Sequence, residues 1–192
     1  MKTGARHGRA PRKAPRPFER TVRTRRVYSG SLLNIDVLDV ELDNGVRSTR
    51  EIVRHGGAAA VLAEIPGRGF VLVRQFRKPV EREVLEIVAG CLEPGEKPGQ
   101  CAVREVKEET GYTVRRLRKL GTMWPSPGYS AEVLHLFHAV LEAGRGQAQP
   151  DKDERVRAVC LGKRQLERLI IGKRIRDAKT MVAWSLWKAG KK

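Results

Sequence analysis

The chain has 192 residues, 40% of them hydrophobic, and a formal net charge of +17 at pH 7. This length suits one domain with a proper core and argues against two full domains. No apolar run approaches the roughly 18 residues that a membrane-spanning helix needs, so we expect no membrane association.

The first 26 residues are strongly basic. They carry ten Lys or Arg residues against one acid, Glu19, with three prolines and almost no apolar side chains. Such a segment buries too little surface to offset the entropy of ordering. Residues 1–26 are therefore predicted to be a basic, flexible extension, mobile in at least its first part. It could bind RNA or another polyanion. A solubilising role is the favoured alternative, because interleaved aromatic residues for base stacking are missing.

Residues 27–56 predict a small antiparallel β subdomain. Apolar and polar residues alternate over much of 33–42, as in a half-buried strand. Asp43-Asn44-Gly45 is typical of a hairpin turn, and residues 47–54 supply the partner strand. A two-stranded unit is only marginally stable alone, so this subdomain must pack against something else.

Residues 57–192 predict a larger α/β domain. Short apolar runs bounded by Gly or Pro indicate buried strands. The predicted strands are 57–65, 70–76, 84–88, 114–122, 132–141 and 155–161. The predicted helices are 98–110, 163–171 and 177–189. A strand-rich sheet with a few helices on its faces gives a mixed α/β sandwich.

The helix predicted over 98–110 has suitable residues at both ends. Pro98 loses nothing in a first turn, where its missing N–H would have no helical partner. Gly111 suits the left-handed position that follows a last turn. Ala102 and Val106 share one face and are predicted to pack onto the sheet.

Three glutamates of this helix indicate metal binding. Glu105, Glu108 and Glu109 fall at i, i+3 and i+4, so their carboxylates crowd one face, which we expect to be exposed. Each like-charge pair costs roughly a few tenths of a kcal/mol in an isolated helix, and basic neighbours interleave only partly. Mg²⁺, with Mn²⁺ as a substitute, would neutralise them through carboxylate oxygens, waters and substrate phosphates. The alternative is an ordinary solvated surface helix.

The flanks of this helix favour the metal site. Residues 90–112 fit the pattern G-x5-E-x7-R-E-U-x-E-E-x-G-U, where U is a bulky apolar residue. The positions that match are Gly90, Glu96, Arg104, Glu105, Val106, Glu108, Glu109 and Gly111. The last position departs mildly, because Tyr112 is aromatic rather than aliphatic. The stretch resembles the Nudix box, which implies a Nudix-type α/β/α sandwich with a mixed sheet and a hydrolase activity.

Segments outside the box resemble the ADP-ribose pyrophosphatase branch of that family, over about residues 27–187. They are Arg50-Glu51-Ile52-Val53, Val73-Arg74-Gln75-Phe76-Arg77, Leu85-Glu86-Ile87-Val88-Ala89-Gly90, Ser126-Pro127-Gly128-Tyr129-Ser130-Ala131-Glu132 and Arg176-Asp177-Ala178-Lys179-Thr180. Val88 replaces a usual proline, and Ala131 replaces a frequent acid. Pro127 lies 16 residues after Gly111 (127 minus 111), a spacing that this family associates with ADP-ribose. Pro127 is therefore a predicted substrate contact.

The resemblance implies cleavage of the diphosphate of ADP-ribose to AMP and ribose 5-phosphate. Such catalysis must neutralise the diphosphate and position a water. Glu105 and Glu109 are the first-choice metal ligands, and Glu108 is a third candidate, for a metal ion or for catalysis. The resemblance adds the backbone carbonyl of Ala89. Glu132, outside the box, is the candidate general base, with an exposed loop acid as the alternative.

Two arginines and one acid are candidate substrate residues. Arg50 and Arg77 could hold phosphate or ribose oxygens, because a guanidinium offers paired donors. Surface strand arginines without a ligand are the alternative. Glu86 is a weaker substrate candidate. Arg104 and Glu96 are expected to hold the box loop to its helix rather than to touch substrate.

Other functions stay open from the sequence. The same chemistry could act on another nucleotide sugar or a dinucleotide, because the sequence does not define the sugar pocket. The basic extension could direct the protein to RNA. A non-catalytic nucleotide sensor is disfavoured, because every box glutamate is present.

Oligomeric state and compartment complete the expectations. The resemblance implies a homodimer through residues 27–56, because relatives in this branch commonly exchange this segment between subunits. The three scattered cysteines fit neither a zinc site nor a disulfide framework. The N-terminus lacks the apolar segment of a secretory signal. These features predict a cytoplasmic protein.

Overall fold

The first of two sheets is formed by the N-terminal part of the chain. The computed structural model describes residues 18–149 and 155–190. Strands β1 (Glu19–Ser29), β2 (Asn34–Leu42) and β3 (Arg47–Arg54) form an antiparallel sheet in the order β1-β2-β3. The predicted hairpin between β2 and β3 is present, and Gly45 takes a φ of 81° in its turn. A left-handed φ of this kind costs glycine nothing.

Strand β1 was not predicted. It begins at Glu19, inside the segment that we expected to be a flexible extension, and it pairs along its length with β2. Nearly every β1 residue is exposed, so this strand has no buried face that would require apolar residues at alternate positions. Its sequence therefore lacks the alternation by which strands are recognised. The earlier part of the predicted extension, residues 1–17, lies outside the described residues.

Buried charge joins the strands of this small sheet. Asp36 in β2 is 5% exposed, and its carboxylate accepts hydrogen bonds from Arg26 in β1 and from Arg54 in β3, the latter at 2.9 Å. The Arg26 guanidinium, followed by that of Arg54, holds the pKa of Asp36 below its usual value. One carboxylate therefore connects all three strands through paired, charge-assisted hydrogen bonds.

The second sheet has seven strands. They are β4 (Ala58–Ile65), β5 (Gly69–Arg77), β6 (Arg82–Glu86), β7 (Val88–Cys91), β8 (Tyr112–Met123), β9 (Leu134–Arg145) and β10 (Val156–Leu161). The main path runs β10-β5-β4-β9-β8, with β6 paired to β5 and β7 paired to β4. The β4–β9 pair is parallel and the other pairs are antiparallel, so the predicted mixed sheet is confirmed.

Two differences from the predicted strands bear on the site. The single strand predicted over 84–88 is two strands, because the chain leaves β5 after Glu86 and joins β4 from Val88 onward. The strand predicted to begin at Glu132 begins at Leu134 instead. Glu132 therefore lies before β9, in the segment that leads into the sheet.

Helices cover both faces of the seven-stranded sheet. Helix α1 (Pro98–Thr110) packs on one face, and α2 (Lys163–Ile171) and α3 (Ala178–Ala189) pack on the other. Strand β4 has both faces buried: Leu62 faces the α3 side, and Val61 faces the α1 side. The α3 side contains the aromatic pair Trp184 and Trp187. This is the predicted α/β/α sandwich, which buries apolar side chains in two layers.

The two sheets meet at the segment before β9. The amide of Val53 at the end of β3 donates to the carbonyl of Tyr129 at 2.8 Å, and the amide of Ala131 donates to the carbonyl of Val53 at 2.9 Å. This pairing attaches the N-terminal sheet to residues 126–132. Within the described ranges, no helix is long and apolar enough to cross a membrane.

Candidate active site

Helix α1 has the predicted bounds, from Pro98 to Thr110. It ends at Gly111 with a φ of 72°, in the left-handed conformation expected there. Ala102 and Val106 are fully buried against the sheet, as predicted. The helix is thereby held by one face, and the orientation of its glutamates follows from that packing.

The three glutamates share one side of α1 but differ in exposure. Glu105 and Glu109 are 8% and 4% exposed, which corrects the expectation that this helix face is open to solvent. Glu108 is more exposed, with 41% of its side chain accessible against 11% for the side chain of Glu105. All three line a cleft of about 400 Å³ together with Ala89 and Gly90. The structure thus brings the predicted metal-ligand residues together at one surface.

Gly90 allows the backbone of β7 and a carboxylate of α1 to approach each other closely. A Cβ placed on this residue would lie 1.8 Å from Oε1 of Glu105 and 2.0 Å from Cδ. Both separations are far shorter than a van der Waals contact. Only glycine lets the Glu105 carboxylate lie directly against the backbone of β7.

Arg104 makes hydrogen bonds to several groups within residues 90–112. Its guanidinium donates to both oxygens of Glu96, at 2.9 and 3.0 Å. It also donates to Glu105 at 2.7 Å, to Glu108 at 2.9 Å and to the carbonyl of Cys91 at 3.1 Å. These contacts confirm that Arg104 and Glu96 hold the loop to its helix. The planar guanidinium is suited to this role because it offers five donors in one fork.

Electrostatic shifts follow from these contacts. The Arg104 guanidinium lowers the pKa of Glu96 to about 2, the largest cause being its hydrogen bond to the carboxylate. The same pairing with Glu96 raises the pKa of Arg104 above its usual value. Burial raises the pKa of the neighbouring Cys101 thiol to about 12, so this cysteine stays protonated and packs in the core.

A second hollow of about 440 Å³ adjoins the carboxylate cleft. It shares Ala89, Gly90 and Cys91 with that cleft, and Glu132 and Arg77 line its other walls. The predicted base and one predicted substrate arginine therefore face a hollow that continues the carboxylate cleft. Pro127 is exposed in the turn that precedes Glu132.

A charged network on the wall of this hollow was missed at the sequence level. Arg77 donates to Glu86 at 2.8 Å, and Lys179 contacts the other oxygen of Glu86. Lys179 also donates to Asp177 at 2.9 Å. Asp177 and Lys179 line the hollow from the start of α3. The sequence did carry one signal for Asp177 and Lys179, which is the resemblance of residues 176–180 to the ADP-ribose pyrophosphatase branch.

Arg50 lies apart from these groups within the chain. It sits in β3, where its guanidinium pairs with Glu19 of β1 and donates to Ser48 at 2.9 Å and to the carbonyl of Thr49 at 2.8 Å. The structure does not bring Arg50 to the lining of either hollow. Glu86, the weaker substrate candidate, is 2% exposed and accepts a hydrogen bond from Arg77 at 2.8 Å.

Comparison with known families agrees with this arrangement. The model of the NUDIX domain matches residues 53–184, which span all seven strands of the second sheet, helices α1 and α2, and α3 as far as Trp184. The chain belongs to the Nudix family of hydrolases. The match begins at the end of β3, so most of the N-terminal sheet lies outside the common Nudix domain.

Two relatives cover nearly the whole length of this Nudix hydrolase. An ADP-ribose pyrophosphatase of Bacillus subtilis is 43% identical over 169 residues, covering 86% of this chain and 90% of the relative. A methanol dehydrogenase activator of Bacillus methanolicus is also 43% identical, over 166 residues, covering 86% and 90%. A crystal structure of an ADP compounds hydrolase shares the fold, with a TM-score of 0.77 and 24% identity, covering 90% of this chain and 95% of that one.

The residues present fit a divalent cation, which Nudix hydrolases in general use. The α1 carboxylates are hard oxygen donors of the kind that such a cation prefers. They lie beside the backbone of Gly90, which has no Cβ to keep them away. Within residues 18–149 and 155–190, no group of three or more His, Cys, Asp or Glu side chains is already arranged to hold a metal ion. Mg²⁺ is commonly held by only one or two carboxylates when it keeps waters and takes substrate phosphate oxygens, so the α1 carboxylates still fit it.

The low pKa of Glu96 generates a prediction about acid stability. The carboxyl has a usual pKa of 4.5 and a folded-state pKa of about 2, so its stabilising effect is present above pH 4.5 and is lost as the pH falls towards 2. We expect Glu96→Gln to unfold more easily than the unmodified protein at pH 7. The difference should shrink between about pH 4.5 and 2.

Urea denaturation at several pH values measures this difference. Glu142→Gln, at an exposed position of β9, is the matched control and should show no such trend. A gap that stays constant over this pH range would contradict the assigned pKa.

Proposed function

We propose that this Nudix hydrolase is a Mg²⁺-dependent pyrophosphohydrolase that cleaves ADP-ribose to AMP and ribose 5-phosphate. The observation that carries the proposal is the carboxylate face of α1 lying against Gly90, with Glu132 lining the adjoining hollow. The 43% identity to a named ADP-ribose pyrophosphatase over 86% of the chain supports the choice of substrate.

The α1 carboxylates are the proposed metal ligands. Glu105 and Glu109 would hold the ion, Glu108 would hold a second ion or a water, and the Ala89 carbonyl would complete the set. When bound, the cation supplies charge neutralisation for the diphosphate. Arg104 already contacts Glu105 and Glu108, so it keeps these carboxylates placed and partly neutralised.

Glu132 is proposed as the general base. Its carboxylate would take a proton from the water that attacks a phosphorus of the diphosphate, and the bond from that phosphorus to the bridging oxygen would break. The hollow that Glu132 lines meets the carboxylate cleft at residues 89–91, so base and ligands approach the substrate from different walls. Glu108 is the alternative base.

The substrate contacts are proposed around Arg77. Its guanidinium lines the hollow, where it could hold phosphate or ribose oxygens, and the buried Glu86 behind it fixes its orientation. Pro127, in the exposed turn before Glu132, lies outside the residues that line the hollow and would contact only a substrate that extends beyond it. Arg50 would reach substrate only across a subunit boundary, because within its own chain it lines neither hollow.

The substrate assignment is tested by hydrolysis of a panel of compounds. ADP-ribose, other nucleotide sugars and dinucleotides should be incubated with Mg²⁺, with Mn²⁺ and with EDTA. We expect AMP and ribose 5-phosphate from ADP-ribose with either metal and no product with EDTA. Faster turnover of another nucleotide sugar or a dinucleotide would reassign the substrate but keep the chemistry.

The metal role of Glu109 gives the first mutational prediction. Glu109→Gln keeps the size of the side chain and removes one of three crowded charges, so the fold should be retained. Turnover should fall by about 10²-fold or more, because a ligand charge is lost. Steady-state kinetics at saturating Mg²⁺ measures the effect, with Glu142→Gln as the surface control. Unchanged turnover would refute the assignment.

The proposed role of Glu132 as general base gives the second mutational prediction. Glu132→Gln should lower kcat by about 10²–10⁴-fold, the usual contribution of a general base. Metal affinity should be unchanged, because Glu132 lies outside the α1 carboxylate cleft. Titration with Mn²⁺ alongside kinetics separates the two effects. A loss of less than about tenfold would transfer the role to Glu108.

A homodimer through the N-terminal sheet is the proposed assembly. Apolar side chains stay largely exposed on this sheet and its connections, among them Phe18, Val27, Tyr28 and Leu32. Exposed apolar residues clustered in one region mark interaction sites. A twofold dimer would place this sheet of one subunit near the cleft of the other. Nucleic acid binding through residues 1–26 stays a prediction from charge alone.

Light scattering tests the dimer. The full-length protein should have about twice the chain mass of 21.6 kDa. Deletion of residues 1–17 leaves β1 complete and should preserve the dimer, whereas deletion of residues 1–54 should abolish both dimer and activity. A fully active protein with a mass near that of one chain would refute this assembly.

A further inference from the structure

The chain changes its pairing partner within the wall of the active site. Strand β6 pairs with β5 as far as Glu86, and β7 pairs with β4 from Val88. Ile87, between the two strands, is fully buried. Its amide at the crossing point needs a hydrogen-bond acceptor, because a buried N–H group without one is costly.

Thr180 supplies that acceptor. The amide of Ile87 donates to Oγ1 of Thr180 at 2.9 Å, across 93 positions of the sequence. Thr180 lies in the first turn of α3 and is itself fully buried. The hydrogen bond therefore joins α3 to the crossing point inside the core.

Asp177 sets the direction of this hydrogen bond. Its Oδ2 atom accepts from the Thr180 amide at 2.9 Å, which caps α3, and it also accepts from the Thr180 hydroxyl. A backbone amide can only donate, so Oγ1 accepts from Ile87 and its own proton points to Asp177. The lone pairs of Oγ1 are left for the Ile87 amide.

The residue before Ile87 is held by the same turn. Lys179 contacts Glu86 and donates to Oδ1 of Asp177 at 2.9 Å. Glu86 at the end of β6 and Ile87 directly after it are thus fixed by the first turn of α3, Glu86 through a charge pair and Ile87 through a buried hydroxyl.

The crossing point lies close to the proposed ligand. Ala89 follows Ile87 by two residues, with the fully buried Val88 between them. Ala89 and Gly90 line both hollows of the site. A displacement of Ile87 would therefore also move the Ala89 carbonyl and the Gly90 backbone, against which the Glu105 carboxylate packs.

We propose that Thr180 is a positioning residue for the reaction, which acts through Ile87 to place the Ala89 carbonyl and Gly90 for metal binding. This inference rests on the proposed function, because it assigns a purpose to the backbone at Ala89. It also gives the segment Asp177–Thr180 a role beyond capping α3. Groups that orient metal ligands typically change metal affinity about 10–100-fold when they are altered.

The test compares three variants by Mn²⁺ titration, read from the electron paramagnetic resonance signal of free Mn²⁺. Thr180→Val has nearly the same shape but no hydroxyl, and it should raise the Kd for Mn²⁺ about tenfold. Thr180→Ser keeps the hydroxyl and should bind Mn²⁺ within twofold of the unmodified protein. Ser185→Ala removes an exposed hydroxyl from the same helix and is the matched control.

Kinetics adds a readout that a merely structural role would not move. In Thr180→Val the Mg²⁺ concentration for half-maximal rate should rise about tenfold, and kcat at saturating Mg²⁺ should recover to within about threefold. Unchanged Mn²⁺ affinity in a folded Thr180→Val protein would overturn the inference. An unmodified protein that binds Mn²⁺ but leaves ADP-ribose intact would refute the proposed function only, since the affinity comparison still decides the role of Thr180.

A measurement on the unmodified protein covers the case in which Thr180→Val does not fold. Coupling between two sites is reciprocal, so metal binding should strengthen the Ile87–Thr180 hydrogen bond. Amide hydrogen exchange at Ile87, followed by NMR, should slow by at least about threefold when Mg²⁺ is added. The inference would be overturned if Mg²⁺ left the exchange rate of the Ile87 amide unchanged while it slowed exchange of the amides of residues 104–109.

Discussion

The contact between the Glu105 carboxylate and the backbone of Gly90 is the constraint on which the site depends. A Cβ at position 90 would lie 1.8 Å from that carboxylate, so the contact exists only with glycine there. It joins a helix on one face of the sheet to a strand within it. The buried face of α1, with Ala102 and Val106 at 0% exposure, holds the helix at the required distance. Packing of the core therefore determines the geometry of the carboxylates.

The negative charge of the three α1 glutamates explains why an arginine lies beside them. Glu105 and Glu109 are buried close to Glu108, and like charges at these spacings repel one another. Arg104 compensates by contacting Glu96, Glu105 and Glu108 with one guanidinium. A lysine would provide a point charge without the planar set of five donors. The arginine thus links the loop at residues 91–96 to the helix while leaving an open set of oxygens.

The other wall of the site depends on the change of partner at Ile87. Because the chain passes from β5 to β4 there, Arg77 on β5, Glu86 on β6 and Ala89 on β7 come to line or support one hollow. The first turn of α3 holds the crossing point through Lys179 and Thr180. The connection of Val53 to residues 129–131 attaches the N-terminal sheet near Glu132. Groups distant in sequence are thereby arranged around a small volume.

The sequence by itself determined the elements with strong local signals. Helix α1 has its predicted ends because Pro98 and Gly111 act on their own turns, and strands with apolar runs were recognised from periodicity. The pattern of residues 90–112 likewise predicted which glutamates lie together. Only the tertiary structure decided the existence of β1, whose exposed residues carry no alternation and are ordered by pairing with β2. It also decided that Glu109 is buried, that the chain crosses at Ile87, and that Thr180 meets it there. Each of these results depends on partners far away along the chain, which local periodicity does not encode.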